Sequence, residues 1–348
     1  MNPAPSRIDP VFLRRIWGSD NLAPLFPNKT DLAEPIGEAW LTSVDCRIAS
    51  GPYRGHTLGA AWREMPIGWR GSSLVNTPEF PLLVKFLFPA DKLSIQVHPD
   101  GAYAYANERA AGGRGKTEMW YACSAEPGAQ VLIGLKPGVT REQFGAAIDS
   151  HKVEELFEAH RVRQGDTFFI APGTPHAVGS GLVLCEVQEY SDLTYRVYDY
   201  GRTDSHGNPR ELHIEKAMAV TDFDKTRRTG RVAAAPPSGE NSRLLAACYF
   251  FATERQEFNT RVELESNPYR FELLIVLNGS GAIEWQDQKS LYIPGECWFM
   301  PATLGHYALA PNSETTVLHA TVPNMALLRT KLKDRGVPAE EVEKALFS

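Results

Sequence analysis

The octapeptide Leu93-Ser94-Ile95-Gln96-Val97-His98-Pro99-Asp100 constrains the fold more than any other stretch of this chain. Leu93, Ile95 and Val97 alternate with Ser94, Gln96 and His98, which is the period of a strand with one apolar and one polar face. Gln96 and His98 then share a face, about 7 Å apart along the strand. Two ligand-type side chains on one strand face are how a β-barrel grips a metal in its mouth. A half-buried strand with a solvated polar face shows the same alternation, so other stretches must decide.

Those stretches are mostly strands. Pro81 to Phe88 is a dense apolar run broken by one cation, Lys85, and Thr117 to Cys123 reads as a further strand. Strands follow at 165–173, 182–190 and 193–200. Residues 1–40 read as irregular, and 39–69 as short strand-like runs between turns such as Ser50-Gly51-Pro52. Thr140 and Gln143 form a capping box, and Phe144, Ile148, Val153, Leu156 and Phe157 carry helical spacing as far as His160. A short helical insert is therefore expected at about 139–161, and a short helix over 211–220. Residues 225–243 read as a linker. From Cys248 to Val322 the pattern is again β, with a turn at Asn278-Gly279-Ser280-Gly281. The tail, Asn324 to Phe347, has helical spacing and is expected to pack on a sheet.

A repeat runs through this order. Gly165, Pro172, Gly173 and His176 spell a phrase that returns as Gly295, Pro301 and His306. A glycine opens a turn, an apolar strand follows, proline ends it, and histidine projects from the next strand. Two copies about 130 residues apart predict two related barrels. The expected organisation is a catalytic unit at 1–224, a linker at 225–243, and a second, metal-free unit with a terminal helix at 244–348.

Composition narrows the class of function. With 348 residues the chain can bury a sizeable core. A net charge of −6 gives no reason to expect nucleic acid or an anionic membrane as partner. Five scattered cysteines without a CxxC argue against disulfides and for a reducing cytoplasm. No signal peptide or membrane span is visible. A monomer or weak homodimer is expected.

In the first repeat the ligand-type residues Gln96, His98, Glu118 and His176 accumulate, a donor set that suits Zn²⁺ or another borderline divalent ion. A neutral amide leaves such a site Lewis acidic. In the second repeat only His306 survives, read as a capped or core-edge histidine. Lys85 is costly inside an apolar run unless it faces a cavity or an anion. Arg196 shares a strand face with Thr194 and Tyr198, Lys116 precedes Glu118 by two residues, and Ser94 faces with Gln96 and His98. Cations and a hydroxyl around a metal suit a sugar phosphate and a developing enediolate. Gly112-Gly113-Arg114-Gly115-Lys116-Thr117 looks superficially like a phosphate loop, but Ala110 stands where that motif needs glycine and a strand follows.

Taken together, Leu93–Asp100, Gly115-Lys-Thr-Glu-Met-Trp-Tyr121, Pro172-Gly-Thr-Pro-His-Ala177 and Glu186 to Tyr200 resemble the type I mannose-6-phosphate isomerases, zinc enzymes of the cupin superfamily. The blocks occur in family order over the first two-thirds of the chain, and the short insert resembles the compact bacterial form. Trp17-Gly18-Ser19 departs from the family's more usual Trp-Gly-Gly. The resemblance implies a mainly β fold of two cupin-type jelly-roll barrels. It also implies one Zn²⁺ held at Gln96, His98, Glu118 and His176, a catalytic arginine at Arg196, and substrate contacts at Ser94, Lys85 and Lys116. The implied reaction interconverts mannose 6-phosphate and fructose 6-phosphate through a cis-enediol. The general base stays open among Lys116, a zinc-bound water, and a carboxylate or histidine at the barrel mouth. Two rival readings are a metal cupin doing oxygen chemistry and a non-catalytic sugar-phosphate sensor.

Overall fold

A computed structural model, describing residues 2–204, 206–233, 235 and 242–347, is mainly β. Four antiparallel sheets carry the chain, two of seven strands, one of five and one of four. They stack in four layers. Trp120, Phe168 and Leu184 of one seven-stranded sheet pack against Val131, Ile133 and Val178 of the five-stranded sheet. Leu274, Val276 and Val317 of the other seven-stranded sheet pack against Ile283, Trp285 and Leu309 of the four-stranded sheet. The two large sheets meet back to back through Val84, Phe86, Met119 and Phe169 on one side and Leu273, Ile275, Phe299 and Leu318 on the other.

This layering explains the dense apolar runs. A strand covered on both faces needs apolar residues on both, so Leu82–Leu87 is buried throughout. Leu82, Val84 and Phe86 face the other large sheet. Lys85 lies on the opposite face, at 3% exposure.

Several expectations are corrected. Residues 1–40 are not irregular. Val11–Ser19 pairs with Ile36–Trp40, and Ser6–Asp9 pairs with Cys297–Met300 in the second large sheet. Register shifts at Leu13 and Arg14 in this arginine-bearing edge strand hid the alternation. Within 39–69, Leu58–Glu64 is a helix capped by Thr57, its buried Leu58, Ala61 and Trp62 at helical spacing. The helical insert is shorter than expected. The capping box at Thr140 holds, but the α-helix stops at Asp149, His151 takes a positive φ of 59°, a 3-10 turn follows at Val153–Leu156, and Phe157–Arg161 adds an edge strand to the five-stranded sheet. The expected linker at 225–243 contains the strand Gly230–Val232, paired with Thr167–Ile170; residues 234 and 236–241 of it lie outside the described residues.

The expected helix over 211–220 occupies Ile214–Val220. The tail forms two helices, Met325–Asp334 and Ala339–Ala345, which bury Leu328, Leu332 and Val342 against Leu244 and Ala252. All five cysteines are unpaired, and no described helix is long and apolar enough to cross a membrane.

Phe271 knits the layers together, its ring centroid 5.5 Å from Trp62, 5.3 Å from Phe80 and 5.2 Å from Phe299. Phe271→Ala should lower the unfolding free energy by about 3–5 kcal/mol. Tryptophan fluorescence and far-ultraviolet dichroism should report one coincident denaturant transition; two separated transitions would show that the layers unfold independently.

Candidate metal centre and substrate cavity

The first pair of sheets delivers donors from both layers. In the five-stranded sheet, Gln96 on Ile95–Val97 lies opposite His176 on one side and opposite Arg196 on the other. Glu118 opens the strand Glu118–Ala125 in the facing sheet, opposite Ile170 and Gln188. Next to it, Glu186 lies between Lys85 and Trp120. Proline ends the donor strand at Pro99, and Asp100 caps the following helix by accepting the Tyr103 amide at 2.8 Å. Gly173, at φ 81°, donates its amide to the His98 carbonyl at 2.8 Å. A Cβ there would come within 2.9 Å of the Val220 carbonyl oxygen, so the turn before His176 needs glycine.

His98, Glu118 and His176 are all buried, with ligand atoms within 4.8 Å of one another, and they form the only such three-donor group among the described residues. His98 Nδ1 donates to the Leu193 carbonyl at 3.0 Å and His176 Nδ1 to the Thr174 carbonyl at 2.9 Å. Those bonds fix both tautomers and leave each Nε2 as a lone pair. The two Nε2 atoms stand 3.7 Å and 3.4 Å from the Glu118 carboxylate. Burial, with Lys116 adding to it, holds His98 well below the ordinary imidazole range; burial holds His176 down at about 4. Both rings are therefore neutral donors near pH 7. Neither oxygen of Glu118 has a well-aligned hydrogen bond, although Lys116 Nζ lies 2.7 Å from Oε2. A fully buried carboxylate with one ion-pair partner keeps acceptor positions open toward the two imidazoles. The Gln96 amide stands 3.3 Å from His176 Nε2 and completes the quartet. Two neutral imidazoles, a carboxylate and an amide fit a divalent zinc-type ion.

Above this group opens a cavity of about 470 Å³, lined by Lys85, Ser94, Gln96, Lys116, Glu186 and Arg196 among others. The structure thus brings together the residues singled out in the sequence. Lys116 Nζ stands 3.2 Å from His98 Nε2 and 3.8 Å from Glu186. Burial disfavours its charge, but Glu118 and Glu186 outweigh that and raise its pKa, so it is an ammonium. Lys85 is likewise held charged against burial, by Asp192 at 3.0 Å and Glu186 at 3.6 Å. Arg196 donates to the Glu211 carbonyl at 2.7 Å, and its buried Nε has no hydrogen-bond partner.

Sequence reasoning missed Glu186, Asp192, Glu38 and Arg210, as well as Arg14 and Arg15 of the edge strand. Glu186 was legible, since alternation along Leu182–Glu189 sets it among buried neighbours where a charge needs a purpose. Burial and the nearby Glu118 raise its pKa, and Trp120 Nε1 donates to its Oε2 at 3.0 Å. Asp192 and Glu38 balance the cations, and nothing local in the sequence marks either. Arg210 reaches the cavity on Asp199, which accepts from Arg210 Nε at 2.7 Å and from Arg202 at 2.6 Å.

The sequence profile of the phosphomannose isomerase type I catalytic domain matches residues 6–124, which include Lys85, Gln96, His98, Lys116 and Glu118. A mannose-6-phosphate isomerase of Bacillus subtilis is 30% identical over 92% of this chain and 100% of its own. One from Streptococcus mutans is 32% identical over 90% of this chain and 98% of its own. The chain belongs to the type I phosphomannose isomerase family. The crystal structure of a Bacillus subtilis member superposes with a TM-score of 0.82 at 30% identity, covering 91% of this chain and 99% of that one. The mannose 6-phosphate isomerase of Salmonella typhimurium, at 17% identity and a TM-score of 0.72, shares the fold over 91% of this chain and 98% of its own.

Glu38 offers a check on the cavity's electrostatics. Burial opposes its charge, but Lys85, and Arg15 with its Nε donating at 2.9 Å, pull its pKa from 4.5 to about 2. A carboxyl with a depressed folded pKa stabilises fully above its unfolded value and loses that contribution as pH falls through the folded one. Glu38→Gln should therefore be less stable than the parent at pH 7, and the difference should shrink as pH falls from about 4.5 towards 2. Urea unfolding at pH 7 and pH 3 would measure it; a deficit equal at both would refute the assignment.

Proposed function

We propose that this chain is a zinc-dependent aldose–ketose isomerase that interconverts mannose 6-phosphate and fructose 6-phosphate through a cis-enediol. The observation that carries the reading is the buried group His98, Glu118 and His176, joined by Gln96, which also lines a cavity rich in cations. One Zn²⁺ per chain would be held by these four residues, supplying Lewis acidity toward the sugar's oxygens when bound. A family structure is described as bound with zinc and yttrium. The two pairs of packed sheets are read as two cupin-type jelly-roll barrels, a catalytic unit at 1–224 and a second at 244–348. The five unpaired thiols support a cytoplasmic setting.

The remaining roles fall to the chain's own side chains. Six cations line the cavity, Arg14, Arg15, Lys85, Lys116, Arg196 and Arg210, against the carboxylates of Glu38, Glu186 and Asp192. That surplus suits a phosphate dianion. Lys85 and Ser94 hold the substrate. Lys116 and Arg196 stabilise the negative charge that develops as the proton leaves C2. Glu186 accepts that proton and returns it at C1. Glu38, depressed to about 2, is too weak a base, whereas Glu186 is shifted upward, toward the range where a carboxylate carries protons well.

Turnover of mannose 6-phosphate should be lost on chelation and restored by zinc. A folded, zinc-loaded protein without turnover would overturn the reading and favour a sensor or another sugar phosphate. In the zinc-loaded enzyme, Arg196→Ala should lower kcat by about 10²–10³, and Glu186→Gln by about 10²–10⁴ with little change in KM. Steady-state kinetics decides; an Arg196→Ala or Glu186→Gln protein with full kcat removes that residue from the mechanism.

A further inference from the structure

The second pair of sheets repeats the catalytic register with different side chains. Glu118 lies opposite Ile170, the fifth residue after the turn glycine Gly165; Glu272 lies opposite Met300, the fifth after Gly295. Two residues beyond each, Trp120 faces Glu186 and Leu274 faces His319. One strand further, Glu186 lies opposite Lys85 and His319 opposite Glu254. Two residues before each glutamate stand Lys116 and Arg270. Lys85, Lys116, Glu118 and Glu186 are thus matched in register by Glu254, Arg270, Glu272 and His319. These four counterparts also line a cavity, of about 730 Å³, closed on one side by Lys331 of the helix Met325–Asp334.

The metal group is not repeated there. His306, the counterpart of His176, points outward with its side chain 66% exposed and 3.2 Å from Glu263, while the neighbouring Tyr307 turns inward. What remains is a set of hydroxyl-binding groups held in place by one another. His319 Nδ1 pairs with Glu272 and its Nε2 donates to Gln256 Oε1 at 3.0 Å. Tyr307 donates to Glu272 at 3.4 Å, and Glu254 accepts from Ser242 at 3.0 Å. A carboxylate offers about four acceptor positions, so these bonds use only part of what Glu254 and Glu272 present.

Charge decides the ligand class. The catalytic cavity has a surplus of cations. Here Glu254, Glu263, Glu265 and Glu272 face Arg270, Lys331, Arg335 and His319, so neither sign dominates. Dense donors and acceptors without net charge, with the exposed ring of Tyr269 at the rim, match a sugar ring with its hydroxyls and apolar face. We propose that the second cavity is a binding site for an uncharged carbohydrate of one or two rings, distinct from the catalytic cavity.

The test is an NMR titration of the zinc-loaded full chain with D-mannose, D-glucose and maltose. At least one should bind saturably with a Kd of about 1 mM, the strength expected of about a dozen ligand atoms at ordinary efficiency. Glu254→Gln, and Tyr269→Ala at an exposed position that cannot unfold the chain, should each weaken binding at least tenfold and leave mannose 6-phosphate turnover unchanged. Three results would overturn the proposal. One is no saturable binding of any of the three sugars. Another is binding untouched by either variant but abolished by Arg196→Ala, which would place the sugar in the catalytic cavity. The third is displacement of the sugar by inorganic phosphate, which would deny the uncharged class.

Discussion

Buried charge in the first sandwich is what the rest of this structure is built to tolerate. Lys85, Lys116, Glu118 and Glu186 are all at most 4% exposed. An isolated ion so deep costs several kcal/mol or more, and survives only when paired. Lys116 is the hinge of the pairing, 2.7 Å from Glu118 and 3.8 Å from Glu186. Lys85 completes it by bridging Glu186 and Asp192. Such an arrangement is weak evidence for stability, since hydrophobic residues of equal volume commonly do as well. Its persistence points to chemistry. The two carboxylates, the two ammonium groups and the neutral imidazoles keep a low-dielectric cavity polar and fixed before any substrate arrives, which is the preorganisation that electrostatic catalysis needs.

The layers follow from that demand. The quartet needs donors from two layers, with Gln96 and His176 from one sheet, His98 just past the end of Ile95–Val97, and Glu118 from the facing sheet. The large sheet carrying Glu118 would expose an apolar back through Val84, Phe86 and Met119 if it stood alone. The second large sheet covers that back, and Ser6–Asp9 crosses to pair within it. On this view the second sandwich is a structural condition of the site even where it touches no reacting group.

How much of this was legible in the sequence depended on whether a signal was local. The alternation at 93–98 found the strand, although the regular strand is only Ile95–Val97 with His98 just past its end, and Gln96, His98, Glu118 and His176 meet as their residue types suggested. Lys85 was conspicuous because a cation in an apolar run has no bland explanation. Glu38, Asp192 and Arg210 were not visible, since each belongs to the cavity only through pairings made across sheets. The errors have the same origin. The strand at 11–19 is interrupted by register shifts, and the helical period through Phe157 is broken by the turn at His151, after which only a 3-10 turn at Val153–Leu156 is helical before the strand begins. His306 matched the repeat's phrase but not its phase. Register, which decides the face a residue occupies, is set by partners far along the chain.

That difference of phase gives the two sandwiches differently lined cavities. In a sheet, displacing a donor by one position sends it to the other face, so the inward places of His176 and its neighbours pass to Tyr307 and Leu309 while His306 meets solvent. The opposing sheet keeps its register, and there the change is in charge alone. Lys85 gives way to Glu254 and Glu186 to His319, so the cation and carboxylate exchange strands. A metal centre loses its ligands by the first kind of change, and an anion site loses its preference by the second. Neither disturbs the buried Leu274, Val276 and Val317 that hold the sandwich together, because those core residues are not among the polar side chains that line the cavity.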